Sequence, residues 1–468
     1  MPDELWRWDA VRLAGAIQAR DVSCRDAVSA CLERLNAINP RVNAVVETLA
    51  DEALAAAEHA DRQLSDGNPV GLLHGVPVTT KINTDQKGCP TSNGVKAFAN
   101  LIAEHDSPSI ANLRRAGAII IGRTNCPEFS WRWFTDNDLY GETINPWSRE
   151  YTCGGSSGGA AVAVATGIGP VAHGSDFGGS IRHPALCCGV AGLRPSLGRV
   201  PAFNASAGDR PITAQFMAVH GPLARRVGDL RLAFSAMTMG DIRDPWWVPA
   251  PLQGAQPPSP IRVAMMDSDR RPGLDTGIAD ALDQAARWLQ DAGYIVEQPA
   301  NAPSIEEAAH LWSTLVLNEA KLSMIEVIRQ HGGSAIRKTG ELMINQAPAT
   351  DFAAYLKALG RRATILREWQ VFLERYPLVL MPVCRAPAYQ LGLDQRNDAA
   401  MKRIFDDMAP ILAPAVLGLP GIAVPTGVGN PVPLGVQIVA GRFREDLCLD
   451  AAEAIEHHAG VLTPINPF

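Results

Sequence analysis

The chain has 468 residues, of which 47% are hydrophobic and 19% charged, a globular composition that excludes a disordered chain. Its 42 basic and 49 acidic side chains give a formal net charge of −7, so it offers no basic field to nucleic acid or to an anionic membrane. The nine cysteines are scattered without a CxxC pair, which favours reduced thiols. No export signal or membrane span is apparent, and we expect a cytoplasmic protein that binds neither nucleic acid nor membrane.

The first 65 residues are predicted to form an N-terminal helical segment. Apolar side chains recur with helical spacing from Ala27 to Leu35, and Ser23 is well placed to cap this helix. An alanine-rich helix is predicted over 49–64 and ends at the Asp-Gly-Asn-Pro sequence that follows. The main domain is predicted to occupy residues 66–468.

The rest of the chain alternates short apolar runs with helical stretches, a pattern typical of α/β proteins. The runs at 76–80 and 118–122 are predicted strands joined by a helix, which favours a partly parallel sheet. The proline-rich segment 249–260 is predicted to cross the surface. Mostly helical sequence occupies about 300–376, and short strands return after it. This order predicts one domain that is interrupted by a helical insert.

The segment with the strongest chemical signal is 153–185, in which two glycine–serine clusters, 154–159 and 178–180, flank a small-residue stretch. Glycine lets backbone N–H groups crowd around a ligand, and a neighbouring serine adds a hydroxyl nucleophile. A glycine-rich turn with capping serines is the alternative interpretation of either cluster alone. The segment lacks the Gly-Lys-Ser/Thr ending of a phosphate-binding loop, and Ser180 does not lie in a G-x-S-x-G elbow.

This stretch resembles the signature of the amidase signature family. Residues 154–159 read Gly-Gly-Ser-Ser-Gly-Gly, and 174–185 follow Gly-x-Asp-x-Gly-Gly-Ser-Ile-Arg-x-Pro-Ala. Further segments similar to the family occur at 75–81, 122–125, 145–147, 221–225 and 435–438. The resemblance covers most of 25–240 and 410–455. It implies the amidase signature α/β fold, a large, mixed, mostly parallel twisted sheet covered by helices on both faces.

Carried over to this sequence, the resemblance implies that Ser180 is the nucleophile, Ser156 the bridging serine and Lys81 the terminal base. It also implies a cis peptide between Gly155 and Ser156. The three residues make chemical sense, because a serine hydroxyl needs a proton acceptor within hydrogen-bond reach. A lysine can accept that proton if burial lowers its pKa toward neutrality.

The resemblance also assigns an oxyanion hole and supporting residues. The implied oxyanion donors are the N–H groups of Phe177, Gly178, Gly179 and Ser180. Ser157, Asp176 and Arg182 are interpreted as supporting residues, the last two as an ion pair that holds the loop. No metal or organic cofactor is implied, and the ten histidines show no paired-ligand spacing.

The substrate-binding candidates are Ser130, Trp131 and Phe177. An aromatic-rich stretch, 129–134, precedes the signature where related enzymes line the acyl site, and Phe177 replaces a threonine common in the family. Aromatic walls favour aryl or apolar groups, although core packing is an equal alternative for two of these aromatics.

We therefore expect a serine hydrolase that acts on small-molecule amides, with carbamates (urethanes) and esters as further substrates, and a homodimer as one possible assembly. One alternative is the glutamine-hydrolysing subunit of a tRNA-dependent amidotransferase, although residues 198–204 depart from that branch. Another is a catalytically silent binding protein on the same fold, against which the intact set of Lys81, Ser156 and Ser180 argues.

Overall fold

The computed structural model describes residues 4–267 and 273–468, so residues 1–3 of the predicted N-terminal segment and 268–272 of the predicted main domain lie outside it. Its strands are β1 (Val45–Thr48), β2 (Pro77–Lys81), β3 (Ile119–Thr124), β4 (Val171–Asp176), β5 (Ala191–Arg194), β6 (Val219–Ala224), β7 (Arg262–Met265), β8 (Ile295–Glu297), β9 (Leu378–Pro382), β10 (Gly421–Val428) and β11 (Pro433–Ala440).

The α-helices cover both the predicted helical regions and the connections between strands. They are α1 (Ala10–Ala19), α2 (Cys24–Val42), α3 (Ala50–Ser65), α4 (Pro108–Arg115), α5 (Gly158–Ala165), α6 (Arg182–Cys188), α7 (Ile212–Met217), α8 (Val227–Met237), α9 (Thr276–Asp291), α10 (Ile305–Leu322), α11 (Met324–His331), α12 (Ser334–Asn345), α13 (Phe352–Arg375), α14 (Asp398–Asp407), α15 (Ala409–Leu417) and α16 (Glu445–Ala459).

The sheet is mixed, and its parallel pairs lie toward its two ends. The strand order is β1-β3-β2-β4-β6-β5-β10-β11-β9-β7-β8. Strands β3, β2 and β4 are mutually parallel, as are β9, β7 and β8. The pairs between β4 and β9, and the edge pair β1–β3, are antiparallel. The mixed sheet is confirmed, but its centre is antiparallel because strands such as β10 and β11 follow one another through a short turn without a crossover helix.

Alternating side chains place the sheet between two apolar cores. In β3, Ile119 and Ile121 pack into one core and Ile120 into the other, and Val379 and Leu380 of β9 divide in the same way. The first core includes side chains of α2, α5, α10 and α15, and the second those of α4, α8, α9 and α16. The expected cover of helices on both faces is therefore confirmed.

The N-terminal segment contributes a strand as well as helices. Ser23 caps α2 by accepting a hydrogen bond from the N–H of Asp26, as predicted. Strand β1 lies between α2 and α3 and pairs with β3 at the edge of the sheet. It escaped prediction because four residues are too few to show a period-2 pattern. The domain boundary after residue 65 stays a prediction.

Four helices, α10 to α13, occupy the region predicted to be a helical insert, and we keep this name for residues 305–375. Helix α10 packs against α13 and α15, and its Trp312 side chain contacts Phe177, which follows β4. Residues 249–260 contain no helix or strand, in agreement with the predicted surface crossing. Within the described residues, no helix is long and apolar enough to span a bilayer.

Candidate active site

The ends of two neighbouring parallel strands bring the candidate catalytic residues together. Lys81 is the last residue of β2, and Asp176 is the last residue of β4, which pairs with β2. Ser180 follows in the turn between β4 and α6, and Ser156 lies just before α5. The peptide between Gly155 and Ser156 is cis, as the family resemblance implied. Because parallel strands end at the same sheet edge, residues far apart in the chain meet here.

Lys81 is fully buried and contacts three serine hydroxyls. Its Nζ lies 2.7 Å from Ser156 Oγ, 3.1 Å from Ser157 Oγ and 3.1 Å from Ser175 Oγ. The Ser157 hydroxyl donates to the carbonyl of Ser175, whose own hydroxyl oxygen accepts from Asn83 Nδ2. A neutral amine satisfies this pattern by donating to Ser157 and Ser175, which leaves its lone pair free to accept from the Ser156 hydroxyl.

The surroundings of Lys81 favour the neutral amine. Burial lowers the pKa of Lys81 from 10.5 to about 8, although the charge of Asp176 acts in the opposite direction. In the described part of the chain, no carboxylate is among its hydrogen-bond partners. The amine can therefore accept a proton at mildly alkaline pH.

Asp176 anchors the oxyanion loop, which we define as residues 176–180. Arg182 donates to both carboxylate oxygens at 3.0 and 3.1 Å, and Arg194 donates to Oδ1 at 3.1 Å, with all three side chains fully buried. Burial alone would raise the pKa of Asp176, but the two guanidinium charges outweigh it and hold the pKa well below its usual range. The predicted ion pair between Asp176 and Arg182 is confirmed.

Three of the four implied oxyanion donors are free to meet a substrate. The N–H of Gly179 donates to Asp176 Oδ1 at 2.9 Å, so it is not available for an oxyanion. Within the described residues, no acceptor contacts the N–H groups of Phe177, Gly178 or Ser180. This corrects the predicted set, because an N–H that already donates to a buried carboxylate cannot also serve the substrate well.

Ser180 lies where a small aromatic cavity meets a large one. The small cavity, of about 30 Å³, is lined by Ser130, Trp131, Arg132, Trp133, Phe177, Gly178, Ser180, Trp312 and Met343. The large cavity has a volume of about 620 Å³ and also contacts Ser156 and Ser175. All three substrate-binding candidates line both cavities. The ring centroids of Trp131 and Phe177 are 6.0 Å apart, so these two side chains form a continuous wall.

The structure adds residues that the sequence did not single out. Ser175 Oγ accepts a hydrogen bond from Lys81 Nζ and another from Asn83 Nδ2. Asn83 lies two positions after Lys81, in the turn that follows β2, so the alternation of a strand does not extend to it. Trp312 and Met343 belong to the helical insert, where no motif marks them.

The comparison with protein families matches residues 26–449 of the chain to the family described as Amidase. The chain belongs to the amidase family. An indoleacetamide hydrolase of Bradyrhizobium diazoefficiens is 46% identical to this amidase over 460 residues, which cover 98% of this chain and 88% of the relative. The predicted family is confirmed, and the chain is an enzyme that hydrolyses amide carbon–nitrogen bonds. The alternative of a silent binding protein loses its support.

Two further relatives place this amidase within the family. A glutamyl-tRNA(Gln) amidotransferase subunit of Carboxydothermus hydrogenoformans is 29% identical over 486 residues, covering 97% of this chain and 98% of the relative. A bacterial aryl acylamidase belonging to the amidase signature enzymes superposes with a TM-score of 0.82 at 24% identity, covering 96% of each chain. The latter likeness shows the amidase signature fold.

Proposed function

We propose that this amidase hydrolyses small aryl-substituted carboxamides through an acyl-enzyme on Ser180, with Ser156 and Lys81 as the proton relay. The observation that carries the proposal is the 2.7 Å hydrogen bond between Lys81 Nζ and Ser156 Oγ, in a buried site that opens to an aromatic cavity at Ser180. Among the described residues, buried Lys81 has no carboxylate as a hydrogen-bond partner, and its lowered pKa suits a general base.

In the proposed reaction, Ser180 Oγ attacks the amide carbon and passes its proton to Ser156, whose own proton moves to Lys81. The oxyanion accepts hydrogen bonds from the N–H groups of Phe177, Gly178 and Ser180. The carbon–nitrogen bond then breaks, and the leaving amine takes the proton back from Lys81 through Ser156. Water hydrolyses the acyl-enzyme by the same relay, which releases the carboxylic acid and restores the Ser180 hydroxyl.

The substrate class is proposed from the cavity and from the relatives together. Trp131 and Phe177 line both cavities at Ser180, and the large cavity, of about 620 Å³, has room for an aromatic acyl group beside them. The relative at 46% identity is named an indoleacetamide hydrolase, which supports an arylacetamide such as indole-3-acetamide as the substrate. Carbamates and esters present the same carbonyl to Ser180, and their hydrolysis is part of the proposal.

Labelling with a fluorophosphonate tests the nucleophile. In this reaction the phosphorus–fluorine bond breaks, fluoride leaves, and Ser180 Oγ bonds to phosphorus. We expect mass spectrometry to find the adduct on Ser180, and Ser180→Ala to lose about 10⁴-fold or more of kcat while keeping its fold. Ser65→Ala, at an exposed serine, is the matched control and should retain full activity. An adduct confined to another residue would overturn the assignment.

A substrate panel tests the proposed class. Indole-3-acetamide, acetamide, glutamine and an aryl carbamate should be assayed with one preparation, and we expect indole-3-acetamide to have the highest kcat/KM. Preference for glutamine would favour the amidotransferase alternative, which the relatives at 29% identity keep open.

We also propose a cytoplasmic location and a small-molecule substrate without nucleic-acid or membrane partners. All nine cysteines are free and buried, which suits a reducing compartment, and the net charge of −7 disfavours polyanions. The homodimer stays a prediction, which light scattering on the purified enzyme would test.

A further inference from the structure

The oxyanion loop is held by its carbonyl groups as well as by Asp176. Three successive carbonyls each accept a hydrogen bond from a buried side chain. The bonds run from Arg194 Nη1 to Asp176 O (2.8 Å), from Trp312 Nε1 to Phe177 O (3.2 Å) and from Trp133 Nε1 to Gly178 O (2.9 Å). Two of the three donors are therefore indole groups, and one of these comes from the helical insert.

A donor that holds a carbonyl also aims the N–H group of the same peptide. The C=O and N–H of a trans peptide lie in one plane and point in opposite directions. Trp133 therefore fixes the peptide whose N–H belongs to Gly179 and already donates to Asp176. Trp312 fixes the peptide whose N–H belongs to Gly178. This N–H contacts no acceptor in the described residues, and Gly178 lines the small cavity beside Ser180.

Packing holds Trp312 in this position. Its side chain is 2% exposed, and its ring centroid lies 5.7 Å from that of Phe177 and 6.3 Å from that of Phe405. A Cβ atom added to Gly178 would lie 2.9 Å from Trp312 Cζ2, so the loop backbone rests directly on the indole ring. The tryptophan thus restrains the peptide by both contact and hydrogen bond.

We propose that Trp312 is a positioning residue that aims the Gly178 N–H at the oxyanion of the substrate. The proposal rests on the proposed role of Ser180 as the nucleophile. It assigns to the helical insert a part in transition-state stabilisation, in addition to covering the cavity. The proposed role depends on the indole N–H of Trp312. A variant that removes this group and keeps an aromatic ring can therefore separate the hydrogen bond from the size and shape of the side chain.

Trp312→Phe keeps an aromatic ring and removes the indole N–H. We expect kcat for indole-3-acetamide to fall about tenfold to 100-fold, because one oxyanion donor loses its orientation, while KM changes less than about threefold. Affinity for phenylacetaldehyde, to which Ser180 Oγ adds to form a tetrahedral adduct, should fall in parallel with kcat/KM. Replacing Trp312 with β-(3-benzothienyl)alanine removes only the N–H and should give the same result if the phenylalanine variant does not fold.

A second tryptophan provides the matched control. Trp369→Phe changes a fully buried indole whose Nε1 has no partner in the described residues and which lines neither cavity at Ser180, so it reports general loosening of the fold.

An unchanged kcat in both Trp312 variants, a rise in KM alone, or an equal loss of kcat in Trp369→Phe would overturn the proposal. Fluorophosphonate labelling of the wild-type enzyme separates this failure from failure of the proposed function. If Ser180 is labelled and the Trp312 variants keep wild-type kcat, only the positioning role is wrong. If Ser180 is not labelled, the proposed nucleophile is wrong and the positioning role falls with it.

Discussion

The signature segment 153–185 and the helical insert 305–375 meet at Ser180 but contribute in different ways. In the signature segment the backbone itself supplies the proposed oxyanion donors, and glycines allow it to pack closely, since a Cβ on Gly155 would lie 2.5 Å from Arg132 O. In the insert, the side chains of Trp312 and Met343 line the small cavity, and the backbone of their helices takes no part in the site. Regular helices do not require a particular sequence motif. A motif therefore marks the first region and not the second.

After Ser180→Ala, the largest effect on activity is expected at Lys81, the proposed proton acceptor beside the signature segment. Lys81→Ala should lower kcat about 10²-fold to 10⁴-fold, and Lys81→Arg should not restore it because arginine keeps its proton. Since only the neutral amine accepts a proton, activity of the wild-type enzyme should rise as pH increases through about 8. Lys87→Ala, at an exposed lysine, is the control. An acidic optimum or an active Lys81→Arg variant would contradict the relay.

The buried ion pairs of Asp176 with Arg182 and Arg194 should contribute strongly to the stability of the fold around the oxyanion loop. Asp176→Asn leaves Arg182 and Arg194 buried without a counter-charge, and we expect the free energy of unfolding to fall by about 3–5 kcal/mol. Denaturant unfolding would measure it. Asp450→Asn breaks an exposed pair with Arg231 and should cost less than about 1 kcal/mol. Equal losses in the free energy of unfolding in the two variants would show that the buried ion pairs stabilise the fold no more than an exposed pair does.

Substitution of Trp131 tests whether the wall formed by Trp131 and Phe177 selects the substrate. Trp131→Ala should lower kcat/KM for indole-3-acetamide about 10-fold to 100-fold, because the substrate loses apolar contact area. Acetamide is too small to reach the wall and should be affected much less. A similar loss for both substrates would mean that Trp131 packs the core and does not select the acyl group.

The smallest expected effect concerns Met343, on the insert side of the small cavity. Met343→Ala should raise KM for indole-3-acetamide about threefold and leave kcat nearly unchanged, because a flexible thioether fits several ring positions and its loss is partly compensated. Met239→Ala, at an exposed methionine, is the matched control. If Met343→Ala lost as much kcat as is expected for Trp312→Phe, Met343 would do more than line the cavity, and the proposed difference in role between Met343 and Trp312 would be wrong.

The sequence predicted more of the site than of the sheet. The resemblance to the family indicated Lys81, Ser156 and Ser180 as the catalytic candidates, and the structure brings them to one sheet edge. Strand β4 was missed because its sequence, Val-Ala-His-Gly-Ser-Asp, contains polar side chains that serve the site and break the apolar run. The antiparallel centre of the sheet was not predicted because the direction of each strand pair depends on which strands, distant in sequence, become neighbours in the sheet.

By itself, the sequence determined the family and the α/β class and predicted the catalytic residues, because the glycines of the signature pack too closely against other backbone to be replaced freely. The tertiary structure decided which N–H groups remain free for an oxyanion, since Asp176 takes that of Gly179. It also decided that Trp312 meets the oxyanion loop, because a contact across 135 residues of chain follows from helix packing and leaves no local pattern.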